Sequence, residues 1–310
     1  MQLINARSLT PDVNDWLANS RHPRILHVFD HACNLINERR EVLSIVTPQI
    51  GNGPFNLVLE DDILFSEHLN IETPVSIFGN QLNLGGLTIK VENTKLWSPR
   101  PDWEMLHAKR DDITKLLLTN YQKCDLDTVS AIASTYSITT SLQSPVSNLQ
   151  FSNSLTLSLA NADLPSSLTA AQQLAGLGQG FTPAGDDFIM GALYAAWILH
   201  PREIAVVLAQ EIAETASALT TSLSAAWLRS AGRGEAGSLW HELFDALVVG
   251  DEIEIQKTMS NILAVGETSG ADAMTGFFGT IICWAENVGA KNPHPALSQR
   301  ERGESSRQKS

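Results

Sequence analysis

The chain of 310 residues carries 21 Lys and Arg against 34 Asp and Glu, a formal net charge of −13, with 43% apolar and only 18% charged residues. That length suits about two domains with room for a large core, and the low charged fraction points to much buried surface or a subunit interface. The acidic balance excludes a general nucleic-acid binder, which needs a basic stripe, and equally a protein drawn to an anionic membrane.

The charge is uneven: residues 1–150 sum to −5, residues 151–290 to −11, and residues 291–310 to +3. The opening MQLINARSLTPDVNDW has no apolar stretch of the kind a secretory signal needs. The longest strongly apolar run, Phe188 to Leu199, is too short to cross ~30 Å of hydrocarbon as a helix. Cys33, Cys124 and Cys283 are far apart and form no C-x-x-C. They read as reduced thiols of a cytoplasmic protein, not as a disulfide framework or a zinc site. His241-Glu242 lacks the second ligand of a zincin helix.

In chain order, the first elements read as strands. Ile25–Phe29, Val42–Thr47 and Phe55–Leu59 are short apolar runs, with the turns Asn37–Glu41 and Gly51-Asn-Gly-Pro54 between them. Pro74–Phe78, Leu82–Leu84 and Leu87–Val91 follow, set apart by glycine turns, and Trp97-Ser-Pro-Arg-Pro101 closes the region. Short strands punctuated in this way predict a small barrel or sandwich. Trp103–Gln122 carries Met105, Ile113, Leu116 and Leu117 near helical spacing, and Asp125–Ser137 is a weaker helix. Residues 138–165 are rich in Ser, Thr, Asn and Leu and read as a connector.

Beyond them the chain is mainly helical. Pro201 opens one long helix whose stripe runs through Ile204, Leu208, Ile212, Leu219, Leu223 and Trp227. Ser238–Val249, Glu252–Leu263 and Ala271–Asn287 are three more, the last apolar nearly all round and so expected at the centre. The last twenty residues cannot bury enough surface to offset their ordering and read as disordered. The expected class is α+β: a β-rich domain over 1–102, a helical connector over 103–165, a glycine-loop helical domain over 166–288, and a disordered tail over 289–310.

The chemistry-bearing stretch is Gly176-Leu-Gly-Gln-Gly-Phe-Thr-Pro-Ala-Gly-Asp-Asp187. Thr182 suits a helix N-cap and Pro183 the first helical position. Asp186 and Asp187 fall in the first turn, where the helix dipole favours carboxylates. Gly178, Gly180 and Gly185 leave backbone N–H groups open to a ligand. Eighty-five residues on, Gly270-Ala-Asp272 repeats the G-x-D-x-x-x-G spacing after Thr268 and Ser269. Two readings stand side by side: ordinary capping and close helix packing, or two helix N-termini facing one binding pocket. No Gly-Lys-Ser/Thr follows, so this is not a Walker loop. Asp186, Asp187 and Asp272 could hold Mg²⁺ or simply cap helices. Cations are scarce here, so an anionic substrate would call on backbone amides or on Arg229 and Arg233, four residues apart at a helix end. Dipole pairing is the plainer role for those two arginines. Thr220, Thr221, Ser222 and Ser224 could line a polar pocket or bond back to the preceding turn.

With these residues in view, GLGQGFTPAGDDFIMG and the later GETSGADAMTG resemble the paired signatures of the AllH-like family. That family was formerly catalogued as a domain of unknown function and includes a subunit of bacterial oxamate carbamoyltransferase. The GNGPF turn, the Gly-Gly-Leu-Thr-Ile strand and the Trp-x-Pro-x-Pro element are also similar, and the likeness spans roughly residues 20–288. Glu267 stands where the family usually has His. The resemblance implies work with two partners, an FdrA-like subunit and a second operon-encoded subunit, on oxalurate, phosphate, oxamate and carbamoyl phosphate in purine-ureide breakdown.

The expected function is a carbamoyltransferase-like subunit binding a small anionic substrate through the helix starts at Gly178–Asp187 and Thr268–Asp272. Aimed N–H groups would steady the oxyanion that carbamoyl transfer creates, and an Asp would accept a proton from the attacking amide nitrogen. A non-catalytic partner subunit and a stand-alone Mg²⁺-dependent enzyme of phosphate ligands are the alternatives.

Overall fold

A computed structural model describes residues 2–123 and 145–291. Residues 2–96 form a nearly closed β barrel, and the helices follow it. The strands are β1 (Gln2–Leu9), β2 (Arg24–Val28), β3 (Ala32–Ile36), β4 (Val42–Val46), β5 (Asn56–Leu59), β6 (Val75–Phe78), β7 (Gln81–Leu84), β8 (Leu87–Lys90) and β9 (Lys95–Leu96). Their order is β2-β3-β4-β5-β1-β8-β7-β6, with β9 beside β1.

The first strand holds the barrel together. Its first half runs parallel to β8, from Gln2 opposite Leu87 to Asn5 opposite Lys90. Its second half runs antiparallel to β5, and the register shifts between Ala6 and Ser8. A bulge there lets one strand turn from one half of the sheet into the other. Neither β1 nor β3 stands among the expected strands. Polar residues hide both: β3 buries Asn34, whose side-chain oxygen accepts the Ser44 hydroxyl at 2.5 Å.

Between the strands lie α1 (Pro11–Asn19) and α2 (Phe65–His68). The helical region comprises α3 (Trp103–Ala108), α4 (Arg110–Lys123), α5 (Pro145–Ala160), α6 (Leu164–Leu174), α7 (Ala184–Leu199), α8 (Arg202–Ser217), α9 (Ser222–Gly232), α10 (Ser238–Val249), α11 (Glu252–Leu263) and α12 (Ser269–Lys291). The apolar α7 and α12 pack against each other at the centre, as expected for the last helix. Among the described residues no helix is long and apolar enough to cross a membrane. The expected helix over Asp125–Ser137, Cys124 and the tail beyond residue 291 lie outside the described residues. Cys33 and Cys283 are free thiols.

Within the stretch expected as a helical connector, α5 forms, and Leu155 and Leu159 enter the same core as the later helices. Its hydroxyls concealed it: Thr156 and Ser158 are buried by donating to the carbonyls of Asn153 and Leu155, three residues back. The single long helix after Pro201 is broken into α8 and α9. Thr221 caps α9 by accepting the Ser224 N–H at 3.1 Å, while its own hydroxyl donates to the Phe181 carbonyl at 2.7 Å. The break thus ties the glycine loop to the helical body.

The GNGPF turn clips barrel to helices. Asn52 accepts the Ser238 N–H at the start of α10 (2.9 Å) through its carbonyl, and the Ser8 hydroxyl (2.6 Å) through its side chain. Thr10 donates to the Pro54 carbonyl at 2.8 Å. A Cβ on Gly51, at φ +78°, would stand 2.8 Å from the Ser238 hydroxyl. Further along, the Trp103 indole donates to the Gly234 carbonyl at 2.7 Å.

Candidate functional site at two facing helix starts

The two glycine–aspartate motifs come together in space through a reciprocal packing of α7 on α12. A Cβ on Gly191 would lie 1.8 Å from the Ala273 carbonyl oxygen, and one on Gly276 would lie 2.0 Å from that of Phe188. Ala273 holds in the second motif the place of Phe188 in the first, so the crossing has local two-fold symmetry. Gly185 and Gly270 do the equivalent job six residues earlier. Their absent side chains would strike the carbonyls of Leu174, at the end of α6, and Ile262, on α11, at 2.0 and 1.8 Å. These four glycines therefore serve backbone contact. Gly185 and Gly270, expected to face a ligand, are closed off by it.

Openness belongs to the loop before α7. Gly178 and Gly180 have φ of +120° and +93°, a region that favours glycine, and a Cβ on Gly180 would meet nothing within 4 Å. Thr182 is not the N-cap: the helix starts one residue later behind Pro183, with no side-chain cap. The Thr182 hydroxyl is instead 3.0 Å from that of Ser269, the first residue of α12, so the two loops are hydrogen-bonded to each other. Thr268 is exposed just before it.

The three aspartates have two different fates. Asp186, 1% exposed, accepts the Gly176 N–H at 2.8 Å, the Ser224 hydroxyl at 2.7 Å and the Thr220 hydroxyl. Burial raises its pKa, and those three bonds work in the opposite direction. It is a clamp between the loop and the α8–α9 turn. Asp186→Ala leaves one buried and two part-buried donors without their acceptor and is expected to cost ~2 kcal/mol, read as a lower urea midpoint at unchanged slope.

Asp187 and Asp272, 5% and 7% exposed, are different. The Oδ2 atom of each is buried with no hydrogen-bond partner. Burial pushes Asp187 up to about 8, and the negative charges of Asp272 and Asp186 add to the rise, against the pull of the Ser269 and Thr182 hydroxyls. Burial pushes Asp272 up to about 6, opposed by the Thr268 hydroxyl. Both carboxyls are thereby held above the ordinary carboxylate range. Among the described residues no group of three or more His, Cys, Asp or Glu is gathered to hold a metal ion.

Among the described residues Arg229 and Arg233 make no hydrogen bond to either loop, although they share a cleft with Thr220, the donor to Asp186. They lie eight and twelve residues past Thr221, about 12 and 18 Å along α9 from the turn that touches the loop. Both line a cleft of about 970 Å³ between α9, α1 and the barrel turn at Arg39–Arg40. Arg233 is held by Glu235 at 2.6 Å and Asp12 at 3.4 Å, and Arg229 reaches Glu214 at 3.4 Å.

The barrel adds residues that the sequence did not single out. Phe181, 49% exposed on the open loop, packs its ring 4.2 Å from that of His27 and 5.1 Å from that of Phe29. Burial lowers the His27 pKa, and its Nδ1 is buried without a partner. A lone His in a strand carries no pattern that could have announced it.

A barrel clipped to a helical body, with two helix starts bonded to each other next to buried carboxyls, defines a two-part protein whose candidate site is built from a motif that occurs twice. The particular family follows from comparison. The model of the oxamate carbamoyltransferase subunit AllH matches residues 174–281, which hold both motifs, and that of the AllH family N-terminal domain matches residues 5–96, the barrel. The chain belongs to the AllH family. No curated protein and no solved structure matches it.

Proposed function

We propose that the chain is the AllH-type subunit of a carbamoyltransferase complex and contributes the paired-loop site to the reaction. One observation supports this above all: the two signature loops meet, bonded through Thr182 and Ser269, over two buried carboxylates with unpartnered oxygens. Pairing of this kind, with perturbed carboxyls at a helix start, is characteristic of functional sites more than of packing.

The loop before α7 is the seat for an anionic group, the carboxylate of oxamate or the phosphate of a carbamoyl donor. The N–H groups of Gly178 and Gly180 are not used in any protein hydrogen bond among the described residues, and aligned helix amides at such a place favour negative charge. In this reading Gly178, Gly180, Thr182, Thr268 and Ser269 touch the reactants, and Asp187 and Asp272 handle protons. Gly185 and Gly270 set the spacing, Asp186 holds the loop, and Arg229 and Arg233 take no part. The companions are an FdrA-like subunit and a second subunit of the same operon, and the carbamoyl group of oxalurate passes to phosphate, leaving oxamate and giving carbamoyl phosphate, or returns by the reverse reaction.

Hydrogen exchange on the complex assembled from the three subunits tests the assignment. Oxamate with phosphate is expected to slow amide exchange at 178–182 and 266–269 several-fold while leaving the Arg229–Arg233 cleft unchanged. Protection confined to the cleft, or absent from both loops, refutes it.

A further inference from the structure

We propose that the cleft between α1 and α9 is a second binding site, separate from the paired loops, for a phosphate monoester that carries neighbouring hydroxyls: a nucleotide or a sugar phosphate. This site is no part of the reaction proposed above and does not depend on it.

The cleft, of about 970 Å³, has the size of a small-molecule site. Its walls are one face of each helix, with Asp12, Asp15 and Asn19 on α1 and Ser222, Arg229 and Arg233 on α9. Residues 151–290 hold only four cations, and two of them, Arg229 and Arg233, face this cleft. The turn between β3 and β4 brings two more from the barrel, Arg39 and Arg40.

That turn has a place for glycine and holds an arginine there. The Asn37 side chain accepts the N–H groups of Arg39 and Glu41 at 3.0 and 2.9 Å, and the Asn37 carbonyl accepts that of Arg40 at 3.0 Å. The tight closure puts Arg40 at φ +63°, in the left-handed region, where a side chain costs stability that glycine does not. Within the fold Arg40 gains one exposed hydrogen bond, donated across the cleft to the Ser222 hydroxyl at 3.3 Å, and among the described residues it makes no ion pair. Strain of this kind persists where a side chain is needed in one place, and ligand clamps are such places.

Ser222 is the first residue of α9, so the positive end of the helix faces the same point. A guanidinium, a hydroxyl and a helix start together suit the three oxygens and the charge of a phosphate ester. Arg229 lies seven residues along the same face, ~10 Å by helical rise, held only by an exposed pair with Glu214 at 3.4 Å, which is weak. Arg233 is taken by Glu235 and Asp12 and closes the far end. The opposite wall is not basic. Asp15 and Asn19 stand one turn apart on α1, and such groups accept from sugar hydroxyls. With Asp12 they repel a ligand that is anionic along its whole length, which excludes a polyphosphate or a nucleic-acid strand. Inorganic phosphate fills a small part of the cleft and leaves this wall unused.

Isothermal titration calorimetry on the full chain tests this, with AMP, ribose 5-phosphate, ribose and inorganic phosphate as probes. One of the two esters is expected to bind once per chain and about tenfold more tightly than phosphate or ribose. Tighter binding of AMP than of ribose 5-phosphate identifies a nucleotide site; equal or weaker binding of AMP identifies a sugar-phosphate site. Because glycine suits the turn, Arg40→Gly should keep or raise the Tm and bind the ester about tenfold more weakly. Arg229→Gln should weaken binding several-fold. The proposal is overturned if neither ester binds wild type more tightly than phosphate does, a result that needs no variant to fold. It is overturned equally if Arg40→Gly keeps wild-type affinity, or loses it only together with a fall in Tm, as a merely structural residue would.

Discussion

Replacing Gly191 by Ala is expected to cost about 3 kcal/mol of unfolding free energy, and Gly191→Leu to prevent folding. The new Cβ would lie 1.8 Å from a backbone oxygen, a clash that no rotamer relieves. Only separation of α7 from α12 removes it, and those helices form the centre of the core. Gly276→Ala, at 2.0 Å from the Phe188 oxygen, should behave alike. Because one widening of the same crossing accommodates both methyls, the double variant should lose clearly less than the sum of the singles. Chemical denaturation of the three variants measures this. Additive losses would mean that the two contacts are independent and that the crossing is not a single symmetric device.

The sequence carried the architecture unevenly, for physical reasons. The strands between Val42 and Lys90 were legible because their apolar runs are bounded by Gly, Asn and Pro, and the barrel followed from that spacing. β1 and β3 were not, since each buries a polar residue that only a distant segment satisfies, Ser8 through the Asn52 turn and Asn34 through Ser44 of β4. α5 and the break between α8 and α9 both turn on hydroxyls. Ser and Thr look like connector residues until one knows whether they bond to their own helix, as Thr156 does, or to another segment, as Thr220 and Thr221 do.

The repeated motif was legible as spacing, and the convergence of its two copies was conceivable from it. Which residue does what was not. Gly180 and Gly185 are both glycines, five residues apart, and only the fold shows that one faces open space and the other lies against Leu174. Asp186 and Asp187 are adjacent and chemically identical. Helical rotation turns one toward Gly176, Thr220 and Ser224 and the other toward α12. Arg229 and Arg233 were drawn into the expected site by the scarcity of cations, which says nothing about where α9 points.

The largest expected effect on function belongs to Asp187 and Asp272. Asparagine at either position keeps size and a hydrogen-bonding group but cannot exchange a proton, and losing a positioned acid or base typically costs ~10²–10⁴-fold. The same substitution should change stability in the opposite sense. In the unfolded chain Asp187 ionises near its ordinary value of 3.8, and in the folded chain only near 8. Between those limits the folded state keeps a proton that the unfolded state has lost, so stability falls as pH rises through the window. Asp187→Asn removes that slope, and its Tm should overtake that of the wild type toward pH 8. A variant that is more stable at pH 8, still assembled with its partners, and inactive would separate chemistry from folding.

The most direct measurement is therefore kcat for carbamoyl transfer to oxamate by the assembled complex, carrying wild-type, Asp187→Asn or Asp272→Asn chains, with assembly checked by copurification. The account predicts intact complexes and at least ~100-fold slower turnover in each variant. Wild-type turnover in both would show that the facing helix starts hold the fold together and do no chemistry.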